Sequence, residues 1–139
     1  MVPSAAAAGV TVSDVNVMAM DFGDSEAPNP SGQMGTYAID SAEATEAQVK
    51  SVWPSLTDAQ AYAMVGVTPM IGQNDESDEV FSLADASKLV TFAEQKHLAS
   101  LGFWEVGRDA NACTGSLSTC TDVTQTPYEF SKLFAAYTG

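Results

Sequence analysis

Residues 14–23, Asp-Val-Asn-Val-Met-Ala-Met-Asp-Phe-Gly, limit the possible folds more than any other stretch of the chain. Val15, Val17 and Ala19 alternate with Asn16, Met18 and Met20, and both sets are largely apolar. A strand covered on both faces, as in a parallel sheet, has that pattern. Asp21 follows at the carboxyl end, with Gly23 close behind. Open α/β sheets and barrels present their chemistry at that end of their strands. Asp21 is therefore either a turn-capping carboxylate or a functional one, and this segment alone leaves both open.

The rest of the chain repeats the unit. Residues 5–8 have the composition of a helix tail ended by Gly9, and 22–40 read as a long loop rich in Gly, Pro, Ser and Asp. Loops of that length in compact domains are usually functional. Ser41 to Trp53 reads as a helix stopped by Pro54. Thr57 caps a short helical piece running to Tyr62. Met64 to Gly72 then reads as a second buried strand, with a polar exit at Gln73, Asn74, Asp75 and Glu76. Ser82 and Asp85 form a capping box for a helix ending near Lys96, and His97 is read as a helix-end histidine favoured by the dipole. Leu101 to Val106 is the third strand, closing in the charges Glu105, Arg108 and Asp109. Thr126, Pro127 and Glu129 start a last helix whose stripe of Phe130, Leu133, Phe134 and Tyr137 is core packing.

Strand and helix thus alternate three times in 139 residues, with crossovers long enough for parallel pairing. Three strands do not close a barrel, which takes roughly 250 residues. The fold class is α/β, as a small open sheet or as the last part of a barrel.

Charge narrows the partners. The formal net charge is −13, with Lys50, Lys88, Lys96, Arg108 and Lys132 as the only basic side chains. No Lys/Arg patch exists for a phosphate backbone, which argues against nucleic acid and anionic membrane. No apolar run reaches the roughly 20 residues a membrane helix needs. The acidic balance suits a neutral ligand such as a carbohydrate without identifying one. Cys113 and Cys120 bracket a small polar loop and are expected to pair as a disulfide, which points to a secreted origin. The first ten residues do not themselves read as a signal peptide. With His97 as the only histidine and no second thiol pair, a metal site is not expected.

Three segments together carry a resemblance. Residues 15–23 resemble the sixth strand of family-18 glycoside hydrolases, the chitinases, whose motif there is Met-x-Tyr-Asp. Residues 66–75, Gly-Val-Thr-Pro-Met-Ile-Gly-Gln-Asn-Asp, resemble the seventh strand and its exit loop. Residues 102–109, Gly-Phe-Trp-Glu-Val-Gly-Arg-Asp, resemble the eighth, and the tail from Cys113 to Tyr137 is similar to the last helix of bacterial members. The likeness covers nearly the whole chain. It implies that residues 1–139 are the C-terminal part of a chitinase-like (β/α)8 TIM-barrel catalytic domain, its last three βα units. The substrate class it implies is chitin or N-acetylglucosamine oligosaccharide, without a cofactor.

By position, Asp21 falls on the strand-six aspartate that helps hold the substrate's acetamido group. Met20 stands where the family has tyrosine, and a thioether cannot donate the tyrosine's hydrogen bond. Trp104 falls on the strand-eight tryptophan, which would stack on a sugar face unless it is instead a core residue. Met18 matches the family methionine and is expected to line the barrel. Gln73, Asn74 and Glu105 are rim polar groups able to bond sugar hydroxyls. The family's proton donor ends an Asp-x-x-Asp-x-Asp-x-Glu strand, and this sequence contains no such motif; residues 75–79 have carboxylates in the wrong pattern. Three readings follow: a hydrolase portion inactive by itself, a non-catalytic carbohydrate-binding module, and a structural half-barrel. Exposed sheet edges and an apolar face would favour a homo-oligomer in any of them.

Overall fold

The computed structural model describes residues 1–111 and 113–139. Its centre is a three-stranded parallel sheet of β1 (Val15–Ala19), β2 (Val65–Pro69) and β5 (Ser100–Leu101), with β2 in the middle. A two-stranded antiparallel hairpin, β3 (Gly72–Gln73) with β4 (Val80–Phe81), follows the central strand. The helices are α1 (Val2–Ala7), α2 (Met34–Val52), α3 (Asp58–Tyr62), α4 (Leu83–Lys96), α5 (Val106–Asp109) and α6 (Glu129–Phe134). The parallel α/β order expected from the alternating pattern is the order observed.

The core lies on one face of the sheet. Val65 and Val67 are fully buried, Val15, Val17 and Leu101 partly so, and they meet Ala38, Ala42, Val49, Leu89 and Ala93 of α2 and α4. α2 packs on β1, β2 and α4, and α4 packs on α6. Each fully buried Val, Leu or Phe of this cluster contributes about 1.5–3 kcal/mol. The opposite face differs from the two-sided burial expected of β1. Asn16 is exposed and Met18 is 60% exposed. Side chains alternate along a strand, so only the Val15, Val17 and Ala19 side lies beneath helices.

The caps expected of Thr57 and Ser82 form. Thr57 and Gln60 cap α3 reciprocally, as Ser82 and Asp85 do α4. His97 ends α4 in the left-handed conformation with φ 55°. Features that depend on distant partners depart from the sequence reading. Helix α2 begins at Met34, so the loop expected over 22–40 is shorter. Its first turn is held from another helix: the Gly35 N–H donates to the buried Asp85 carboxylate at 2.9 Å. A Cβ on Gly35 would lie 2.9 Å from the Asp85 Cα, so glycine allows the two helices to meet there.

The third strand is also shorter than residues 101–106. Regular pairing covers Ser100–Leu101, and N–H groups of Gly102 and Trp104 then donate to the carbonyls of Val67 and Pro69 at 3.0 and 2.8 Å. Val106–Asp109 forms a helical turn instead. Arg108 and Asp109, read as charges that close the third strand, are both 0% exposed. The last helix starts at Glu129 rather than at Pro127. Thr126 donates to the Glu129 carboxylate through its N–H at 2.6 Å and its hydroxyl at 3.0 Å. The N–H groups of Phe130 and Ser131 go to Asp109. Among the described residues, no helix is long and apolar enough to cross a membrane.

Candidate functional site

Parallel pairing sends the carboxyl ends of all three strands to the same edge of the sheet. The register sets Asn16 beside Gly66 and Met18 beside Thr68, while Met70 bridges to Trp104. Period-two alternation therefore turns Met18, Met20, Met70 and Trp104 toward the face left open by the helices. Those four residues line a pocket of about 380 Å³, together with Asp21, Asp75, Glu105, Leu117 and Ser118. Asp21 and Trp104 reach it from strands that are separated by β2, so the two ends point to one rim.

Asp21 is held in a left-handed conformation with φ 49°, which Asp tolerates better than most residues. Its carboxylate accepts the Asp75 N–H at 2.9 Å, and its own N–H donates to the Asn74 side-chain oxygen at 3.4 Å. The next two amides, Phe22 and Gly23, donate to the two oxygens of Glu79 at 3.1 and 2.8 Å. Glu79 is 1% exposed. Among the described residues its carboxylate is satisfied by backbone amides, with no basic side chain paired to it. A buried carboxylate is tolerable only when so bonded. The exits of β1 and β2 are thereby cross-linked in both directions.

Trp104 is 49% exposed, and its ring borders the pocket rather than the helical core. Its carbonyl accepts the Ile71 N–H at 2.9 Å, and the Trp104–Glu105 peptide bond is cis. Below the rim, Arg108 donates to the carbonyls of Cys120, at 3.1 Å, and Gln73. Burial pushes the Arg108 pKa down, opposed by the negative field of Asp75, Asp122, Glu105 and Asp21. Cys113 and Cys120 form a disulfide with their Cα atoms 5.2 Å apart.

Of the residues singled out in the sequence, Met20, Asp21, Trp104 and Glu105 come together in this pocket. Gln73 and Asn74 lie behind it. Asn74 is 0% exposed, and its amide hydrogens go to the carbonyls of Met70 and Gly72 at 3.0 and 3.1 Å. Asn74, read from the sequence as a rim group able to bond sugar hydroxyls, is not among the residues that line the pocket. Gln73 is engaged through its backbone, donating its N–H to the Thr121 carbonyl at 2.8 Å. The supporting roles of Glu79 and Arg108 rest on partners 56 and 35 residues away, which no local pattern shows. The pocket residues Leu117 and Ser118, on the cysteine loop, carried no sequence signal. Among the described residues, no group of three or more His, Cys, Asp or Glu side chains is placed to hold a metal ion.

Comparison with known proteins agrees on one group. The chain is 37% identical, over 96% of its length, to a probable bifunctional chitinase/lysozyme of Escherichia coli (strain K12). It is also 37% identical, over 84% of its length, to endochitinase 11 of Metarhizium anisopliae. The structure superposes on the catalytic domain of a hyperthermophilic chitinase from Pyrococcus furiosus with a TM-score of 0.86, at 33% identity over 98% of this chain. It belongs with the chitinase catalytic domains. The match is to a portion of them: the chain spans 16% and 23% of the two relatives and 43% of the Pyrococcus chain. The same match extends to catalytic-site mutants of that chitinase complexed with chito-oligosaccharides. No family model matches the chain. The parallel sheet and flanking helices of this chitinase-type chain are thus part of a TIM barrel.

Proposed function

We propose that this chain forms the sugar-gripping rim of a chitinase-type glycoside hydrolase acting on β-1,4-linked N-acetylglucosamine. The observation that carries this reading is the meeting of Asp21 and Trp104 in one pocket at the carboxyl edge of a parallel sheet. An indole face offers apolar area to the C–H face of a pyranose, and a carboxylate beside it accepts an amide N–H. Asp21 then orients the substrate's acetamido group, whose own oxygen attacks the anomeric carbon with retention, so that no enzyme carboxylate serves as nucleophile. Glu105 bonds a sugar hydroxyl. Met20 lines the floor without donating a hydrogen bond.

Leaving-group departure needs a positioned proton donor near the glycosidic oxygen. The Asp-x-x-Asp-x-Asp-x-Glu strand that supplies it in the family does not occur in residues 1–139. The chain by itself therefore binds without turnover, which overlaps with the reading of a sugar-binding module. The disulfide supports an oxidising, extracellular setting. The exposed face around Asn16 and Met18, with the free edges of β1 and β5, supports self-association. A monomer by light scattering at micromolar concentration would remove that last element.

Calorimetric titration with chito-oligosaccharides, which does not depend on a tryptophan reporter, tests the sugar reading. Saturable binding is expected, weakened at least tenfold, or about 1.4 kcal/mol, by Trp104→Ala. A chromogenic chitobioside should remain uncleaved in the same samples. Binding unaffected by Trp104→Ala would end the assignment of this pocket, and turnover lost in Asp21→Ala would end the claim of inactivity.

A further inference from the structure

One wall of the pocket comes from neither the strand tips nor the hairpin. Leu117 and Ser118 line it beside Trp104, Glu105 and Asp75. Both belong to the loop closed by the Cys113–Cys120 disulfide. The loop has its own internal bonding. The Ser116 carbonyl accepts N–H groups of Thr119 and Cys120 at 3.0 and 2.9 Å, and the Gly115 N–H donates to the Asp122 carboxylate at 2.7 Å. The Asn111 amide reaches the Thr119 carbonyl at 3.2 Å.

The root of the loop is fastened to the rim. Arg108 joins the Cys120 carbonyl to that of Gln73, so one buried guanidinium ties loop and hairpin together. Gly72, at φ 75°, lies so close to Thr121 that a Cβ there would stand 2.1 Å from the Thr121 carbonyl oxygen. The arm from Cys113 to Ser118 is returned to this fixed root by the disulfide. Leu117 is partly buried, and the Ser118 hydroxyl, 2.8 Å from that of Ser116, keeps further hydrogen-bonding capacity.

We propose that the disulfide-closed loop is a specificity element of the pocket, making a slot for a pyranose where the strand tips alone would make an open platform. Leu117 supplies apolar wall and Ser118 a hydroxyl for the sugar edge, while the disulfide and Arg108 hold both in place. This rests on the sugar reading above. It assigns the cysteines a binding role in addition to any effect on stability.

A Trp53→Phe background leaves Trp104 as the sole tryptophan. Two variants are compared in it: Cys113→Ser with Cys120→Ser, and Leu117→Ala with Ser118→Gly, the latter keeping the disulfide. Acrylamide quenching of Trp104 without sugar should rise about twofold in both, and affinity for chitotetraose should fall about tenfold. The second variant should melt with the parent. A parent that binds chitotetraose while both variants retain its affinity and quenching overturns the loop's role alone. A parent that does not bind overturns the sugar reading and this inference together, whatever the quenching shows.

Discussion

Replacing Asp109 by alanine should destabilise the chain by about 3–5 kcal/mol, a large share of the roughly 5–15 kcal/mol that holds an ordinary domain together. The Asp109 carboxylate accepts from the Gln125 amide, the Phe130 N–H, the Ser131 N–H and the Ser131 hydroxyl. Its backbone carbonyl takes the Tyr128 N–H at 2.8 Å. The side chain therefore acts as the missing N-terminal cap of α6, a helix that brings Phe130 and Phe134 into the core. Alanine leaves the helix-start amides of Phe130 and Ser131 and the Ser131 hydroxyl without this acceptor, and removes one of the acceptors of the Gln125 amide. Asparagine keeps the shape and one acceptor oxygen, so its cost should be about half as large. Urea unfolding of the two variants measures this. An Asp109→Ala midpoint close to that of the parent would show that α6 needs no such anchor.

The second large effect is expected at Glu79. Removal of its side chain orphans the Phe22 and Gly23 amides and should cost about 2–4 kcal/mol. Here stability and binding should change together. Those amides directly follow Asp21, whose left-handed backbone is kept by the same cross-link between the two strand exits. Glu79→Ala should therefore weaken chito-oligosaccharide binding at least tenfold even where the protein remains folded by circular dichroism. Glu79→Gln, which retains one acceptor oxygen, should recover part of both losses. Full sugar affinity in a folded Glu79→Ala chain would mean that Asp21 keeps its place without the clamp.

These two residues also mark the limit of what local sequence patterns specify. Both lie in stretches whose composition was noted, Glu79 among the carboxylates after the second strand and Asp109 in the charges after the third. Each reads locally as a solvated acid. Their donors stand more than fifteen residues away for the key contacts, at Gly23, Gln125 and Ser131, and no spacing rule spans such distances. The same holds for the start of α2, whose Gly35 amide is capped from α4, and for Asn74, whose burial depends on the hairpin that folds over it. By contrast, the capping boxes at Thr57 and Ser82 needed only partners three residues on. The box expected of Thr126 with Glu129 does not close, because the Thr126 hydroxyl donates to Glu129 instead of accepting from the helix start.

By itself, the sequence determined the strand-and-helix alternation and the parallel class, while the place of Trp104 on the same rim as Asp21 was only implied by the chitinase resemblance. Alternating apolar residues and short-range caps carry that information within each segment. Only the tertiary structure decided which carboxylates are buried supports and which face the pocket, where α2 and α6 begin, and that Leu117 and Ser118 form a wall. Burial and hydrogen-bond completion are properties of segments brought together, and a charged side chain has the same local pattern whether it meets water or a backbone amide from a distant loop.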